Sequence, residues 1–180
     1  DLDKVKDVQS CFSYLLTPQG KYLFEFIIVK HKSGYFLDCP KYQIENLYKQ
    51  LTLYKLRSKV EITNLSNEFV VAALSKDKFS EFEKNNNKTG MTIKFREDPV
   101  VLDPRCIDLG ARILINLEKL YLSAKKLNLK ISNVNEYYQL SHQLGIPNSA
   151  TENFQNKIFG LETNSEELNA IDFKKGCYVG

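Results

Sequence analysis

Leu15-Leu16-Thr17-Pro18-Gln19-Gly20-Lys21-Tyr22-Leu23-Phe24-Glu25-Phe26-Ile27-Ile28 is the stretch from which the fold is read. Proline early and glycine late in Thr17-Pro18-Gln19-Gly20 suit a tight turn, because proline presets φ and glycine accepts the left-handed region. The flanks, residues 11–16 and 21–30, are rich in aromatic and β-branched residues and predict two strands. A hairpin follows. Within its second strand Glu25 interrupts an apolar run. Strand alternation permits a solvent-facing carboxylate there; a carboxylate aimed into a pocket is the alternative.

Outward from the hairpin, His31-Lys32-Ser33-Gly34 predicts another turn and Tyr35-Phe36-Leu37 a short strand. Asp38-Cys39-Pro40 then opens a helix, with Asp38 as its cap and Pro40 in the first turn. Ile44, Leu47, Tyr48, Leu51 and Tyr54 recur on one helical face. Lys55, Arg57 and Lys59 place positive charge at the helix's negative end. Strands are expected at 60–62, 68–74, 91–95 and 111–115, and helices at 77–83, 116–127 and from Asn133 to Leu144. The 116–127 helix should turn Leu117, Leu120, Tyr121 and Ala124 inward. Asn133 with Glu136 forms a capping-box pattern, and Gly145 followed by Pro147 ends that helix. Residues 149–167 lack periodicity and read as an irregular connector. Two acids and two arginines around Pro104 (Asp103, Arg105, Asp108, Arg112) read as a salt-bridged corner. Hairpins followed by helices define an α+β class with antiparallel-rich sheets.

Composition narrows the function. Hydrophobic residues make up 43% of the 180 residues, enough for a real core, and the net charge is only +3. That balance gives no case for direct nucleic-acid binding. No apolar run is long enough for a membrane helix, and no secretory signal is visible. Cys11, Cys39, Cys106 and Cys177 are scattered, without metal-ligand spacing to His31 or His142, so no metal site is expected and the first three read as small buried hydrophobes. Scattered thiols suggest a reducing, cytoplasmic setting. At the far end, Cys177 lies between Gly176 and Gly180 and follows Lys174 and Lys175. Neighbouring lysines favour thiolate, so this thiol is the candidate reactive one.

The run Lys175-Gly176-Cys177-Tyr178-Val179-Gly180 resembles the signature of the YgfZ family, whose motif reads Lys-Gly-Cys-aromatic-x-Gly-Gln-Glu. These folate-binding proteins are related to the aminomethyltransferase (T-protein, GcvT-like) of the glycine cleavage system. The resemblance extends in order through residues 15–21, 54–60, Asp103-Pro104-Arg105, Leu109-Gly110-Ala111-Arg112, Tyr138 to Gly145-Ile146-Pro147, and Leu161-Glu162-Thr163-Asn164. It implies a single folate-binding domain of ferredoxin-like halves over residues 1–180. Relative to the family it starts after a first strand and helix and lacks the carboxyl-terminal barrel. It implies tetrahydrofolate, or a derivative, as ligand. The implied role is accessory to iron–sulfur cluster assembly or repair, with assembly proteins or cluster enzymes, such as those that thiolate tRNA, as partners. Glu25 matches a folate-facing carboxylate, Glu162 matches a glutamate that holds the pterin, and Asn164 stands beside it. The aminomethyltransferases carry Asp where this chain has Glu25. A shift of about one bond can cost about 10²-fold in rate, so classical aminomethyl transfer is disfavoured. A one-carbon transferase and a non-binding remnant are the alternatives.

Overall fold

The structure is a computed structural model describing residues 2–84, 88–147 and 151–176. The hairpin is present. Strand β1 (Cys11–Leu16) pairs antiparallel with β2 (Tyr22–His31), and Gly20 takes φ +80 where the turn needs it. The register shifts between Leu15, opposite Phe24, and Leu16, opposite Tyr22. Leu23 is therefore an extra residue, and the bulge resets the alternation. Tyr22, Ile27 and Val29 consequently face the same core, and Glu25 shares their side by alternation. Phe24, Phe26 and Ile28 face another. Strand β3 (Gly34–Asp38) completes the first sheet in the order β1-β2-β3.

The second sheet contains β4 (Phe69–Leu74), β5 (Thr92–Phe95), β6 (Asp98–Leu102) and β7 (Ala111–Asn116), in the order β4-β7-β6-β5 and antiparallel throughout. Strand β6 is buried along its whole length yet absent from the expectation. Its hairpin turns through Arg96 and Glu97, both at positive φ, a backbone usually signalled by Asn or Gly. The expected strand at 60–62 does not form; residues 56–65 have no regular structure, and Val60 is half exposed.

The sheets pack face to face. Phe12, Tyr14, Tyr22, Ile27 and Val29 of the first share a core with Val101 and Leu114 of the second. The outer face of the first sheet is covered by Leu47 and Leu51 of α1 (Ile44–Lys55). The outer face of the second is covered by Phe79 of α2 (Lys76–Phe82) and Leu120 of α3 (Leu117–Lys126). Helix α4 (Val134–Gln143) brings Tyr137 to the inter-sheet core. Ser75, Asn116 and Asn133 cap α2, α3 and α4 through side-chain oxygens, each the kind of cap worth about 1 kcal/mol.

Three local expectations need correction. Asp38 does not cap a helix: the chain enters α1 through a 3₁₀ turn, Lys41–Gln43, without a side-chain cap, and Asp38 is drawn to an arginine of the other sheet. On α3, Leu117 and Tyr121 are exposed, and the helix rests on Leu120 and Ala124. The supposed connector contains two 3₁₀ turns, Thr151–Phe154 and Gly160–Thr163. The fold is α+β with antiparallel sheets, and no barrel occurs among the described residues.

Candidate site between the two sheets

Glu25 is 3% exposed, so its carboxyl faces the interior. It accepts a hydrogen bond from the Thr151 hydroxyl (3.3 Å). Thr151 is itself wholly buried, at the start of the 3₁₀ turn Thr151–Phe154. Its Oγ1 accepts from Gln43 Nε2 (3.3 Å) and lies 2.6 Å from the Tyr42 hydroxyl. With the Thr151 proton given to Glu25, Tyr42 is the donor of that short bond. Tyr42 in turn accepts from the Thr151 backbone N–H (3.2 Å). Tyr42 is about half exposed, so the cluster reaches solvent at its ring.

Burial dominates the Glu25 carboxyl and pushes it up to about 7; the Arg105 charge, the Thr151 and Tyr22 hydroxyls and Arg112 oppose this only in part. The same burial raises the Tyr14 phenol to about 12, with the Glu25 charge adding to it, and pushes the Tyr22 phenol well above its ordinary range. The Cys39 thiol is likewise pushed up to about 12 and Cys11 is raised by burial, so neither is a ready thiolate.

Beside this cluster lies a second, fully charged one. Arg105 grips Asp103 with a fork, Nε to Oδ1 at 3.0 Å and Nη2 to Oδ2 at 2.8 Å. Arg112 grips Asp38 across the two sheets, with Nε–Oδ2 2.6 Å and Nη2–Oδ1 3.0 Å. The Tyr137 hydroxyl accepts from both arginines at 2.9 Å. The corner expected around Pro104 is thus half local: Asp108, its other acid, pairs with Lys76 instead. Gly110 permits the arrangement, since at φ +80 a Cβ would stand 2.0 Å from the Leu74 carbonyl oxygen.

The remaining expected residues lie apart from Glu25. Glu162 is exposed, and its Oε2 accepts from the Phe159 N–H (2.6 Å), closing its own turn. Asn164 is exposed and left-handed, with Nδ2 3.5 Å from the Gly145 carbonyl. Among the described residues, neither Glu162 nor Asn164 is hydrogen-bonded to Glu25. The buried member of that motif is Thr163, whose hydroxyl lies 3.1 Å from that of Tyr14. Lys175 follows a turn begun by Asp172, which pairs with Lys4, and Gly176 is exposed. Cys177, Tyr178 and Gly180 lie outside the described residues. A separate apolar cavity of about 740 Å³ runs between α1, β3, residues 59–66 and β4. It meets the buried clusters at Asp38 and Cys39, and neither Glu25 nor Glu162 lines it. Gln43, Thr151, Tyr42 and Tyr137 were not singled out from sequence. The one available signal was a glutamine at the entrance to an apolar helix face.

Fold and site together define an α+β protein of two facing antiparallel sheets with a carboxylate–arginine network sealed between them. No protein-family model matches the chain. Its relatives among curated proteins are iron–sulfur cluster assembly factors. It is similar to the mitochondrial IBA57 homolog of Dictyostelium discoideum, 26% identical with 100% of this chain and 50% of that protein covered. The mitochondrial IBA57 of Mus musculus is 24% identical over 96% of this chain and 48% of its own length, and that of Homo sapiens 26% over 94% and 47%. The chain spans about half the length of these relatives. The matches agree at family level with the YgfZ-type resemblance. They overturn the cytoplasmic expectation, because the relatives are named as mitochondrial. Scattered cysteines were a poor guide, since reduced thiols are not confined to one compartment.

Proposed function

We propose that this chain is the folate-binding part of a mitochondrial iron–sulfur cluster assembly factor. The observation that carries the reading is a buried, near-neutral carboxyl, Glu25, at the position the resemblance aligns with a folate-facing acid. The chain around it has cluster assembly factors as relatives over nearly its whole length. In this reading Glu25 meets an amine of tetrahydrofolate, and the Glu162 carboxylate leaves its own turn to take the pterin N–H groups, with Asn164 beside it. Cys177, with Lys175, Gly176, Tyr178 and Gly180 around it, supplies a thiol to a sulfur species or a cluster-carrying partner. One thiol is too few to hold a cluster alone.

Thermal unfolding with tetrahydrofolate under anaerobic conditions tests the ligand. At about 100 times its dissociation constant the ligand adds about 2.7 kcal/mol, and Glu25→Ala abolishes the gain. Depleting the protein in cells tests the role: activities of cluster-containing mitochondrial enzymes fall while cluster-free ones hold. Equal activities in both classes would sink the assembly reading.

One-carbon transfer is a second reading, favoured by one observation. A carboxyl at about 7 is suited to proton transfer near neutrality. Methylene-tetrahydrofolate formed from an aminomethyl-lipoyl carrier and tetrahydrofolate would favour it over the accessory role.

A further inference from the structure

Strand β3 is the outer strand of the first sheet and pairs with β2 alone. A two-residue turn, Lys32-Ser33, separates the paired His31 and Gly34. Such a turn is closed by a hydrogen-bonded pair, so by alternation Tyr35 and Leu37 turn their N–H and C=O groups outward. Among the described residues neither has a backbone partner on that side. The Tyr35 and Leu37 side chains are 47% and 37% exposed. They line the apolar cavity of about 740 Å³, together with Leu47, Tyr48 and Leu51 of α1. An open strand edge beside a helix-walled apolar groove accepts an added strand: the edge supplies main-chain bonds and the groove takes alternate side chains. The segment 59–66 also lines the cavity, but residues 61–64 make no backbone–backbone hydrogen bond among the described residues. The strand expected at 60–62 therefore does not occupy this edge.

Charge sets the kind of strand. Lys59 lines the cavity, Arg57 stands two residues before it, and Lys32 sits at the tip of the hairpin whose Ser33 and Gly34 also line it. None of these three cations is in an ion pair among the described residues. Of the two acids in the lining, Asp38 is already gripped by Arg112, which leaves Glu61 to offset them. We propose that the groove between β3 and α1 binds an extended, acidic segment of a partner protein, added as a fourth strand beside β3. Its apolar side chains enter the groove at alternate positions, and its carboxylates meet Lys32, Arg57 and Lys59. A lipid or other small apolar molecule would fill the groove but leave the main-chain groups of Tyr35 and Leu37 unmet. Neither Glu25 nor Glu162 lines the groove, so this surface stands apart from the folate reading.

The test is fluorescence anisotropy of the whole chain with a capped, labelled peptide of alternating valine and threonine carrying two glutamates at each end. The expected result is saturable binding that weakens as salt is raised. N-methylation of one alternating set of peptide residues weakens binding about tenfold or more, and of the other set leaves it unchanged, because only one set of N–H groups faces β3. Lysines in place of the glutamates weaken it by a similar factor. In the protein, Leu37→Pro removes an outward N–H while keeping the ladder to β2, and weakens binding about 5- to 10-fold. The double substitution Arg57→Glu and Lys59→Glu, at two exposed positions, weakens it about tenfold without lowering the Tm of the free chain. No binding at millimolar peptide overturns the proposal, as does equal binding of both methylated peptides or of the lysine peptide. Two other occupants would show in the peptide-free chain. Hydrogen-exchange protection at residues 61–64 equal to that of β3 means that the chain's own segment fills the edge. A concentration-dependent dimer lost in Leu37→Pro means that a second copy does. Either result overturns the proposal.

Discussion

Asp103 and Glu25 are both carboxylates sealed between the same two sheets, and their surroundings drive them in opposite directions. For both, burial is the largest influence and favours the neutral acid. At Asp103 the Arg105 fork, a backbone N–H and the more distant Arg112 outweigh it, and the acid is held below the usual aspartate value. At Glu25 the arginines act only from a distance, the Thr151 and Tyr22 hydroxyls offer weaker support than a guanidinium, and burial wins. A buried acid with its own guanidinium holds the fold together. A buried acid served by a hydroxyl is left available for a ligand or a proton.

Removing the guanidinium from the first acid breaks the comparison most severely. Arg105→Met leaves Asp103 buried and unpaired, and should cost about 3–5 kcal/mol in urea unfolding. Asp103→Asn combined with Arg105→Met should recover part of that loss; no recovery would mean the pair is not the coupled unit described. The second acid is tested by pH. Its folded value, about 7, lies above the unfolded value near 4.3, so the folded state holds the proton more tightly. Glu25 therefore contributes most below about pH 4.3 and loses that contribution as pH rises to about 7. The span is on the order of 3 kcal/mol. Glu25→Gln should flatten this slope and make the protein more stable than wild type at pH 8, and a less stable variant there would refute the account. Asp103 has the reverse dependence, its contribution being lost only as pH falls through its depressed value.

Tyr137→Phe gives a smaller effect. It deprives both arginines of a shared acceptor and should cost about 1–3 kcal/mol, while both carboxylate forks keep their function. Smallest is Glu162→Ala, which removes one exposed cap of the Gly160–Thr163 turn. A loss of about 1 kcal/mol or less in denaturant unfolding is expected. Whether it also reduces the tetrahydrofolate response separates a capping glutamate from a ligand-binding one.

The hairpin was readable because turn chemistry and strand composition act over a few residues: Pro18 and Gly20 sit where the turn requires them. The caps Ser75, Asn116 and Asn133 likewise act within two or three residues, and the Asn133 helix was read from that signal. Strand β6 escaped because Arg96 and Glu97 carry no local mark of the positive φ they adopt. Asp38 was misread for the complementary reason. An acid before Pro40 is a good local cap, but Arg112, 74 residues away, offers a charged fork.

The candidate site divides along the same line. An acid within Leu23-Phe24-Glu25-Phe26-Ile27-Ile28 was conspicuous, but its direction depends on a one-residue bulge at Leu23, and a single slip would turn it to the other face. Its partner Thr151 lies 126 residues away, in a segment without periodicity. Local chain chemistry thus determined the elements, the antiparallel class and the acid worth watching. Which acids are paired and which is left near neutrality were decided by packing between the sheets. There, burial and distant charges set the electrostatics, and no short window of residues encodes them.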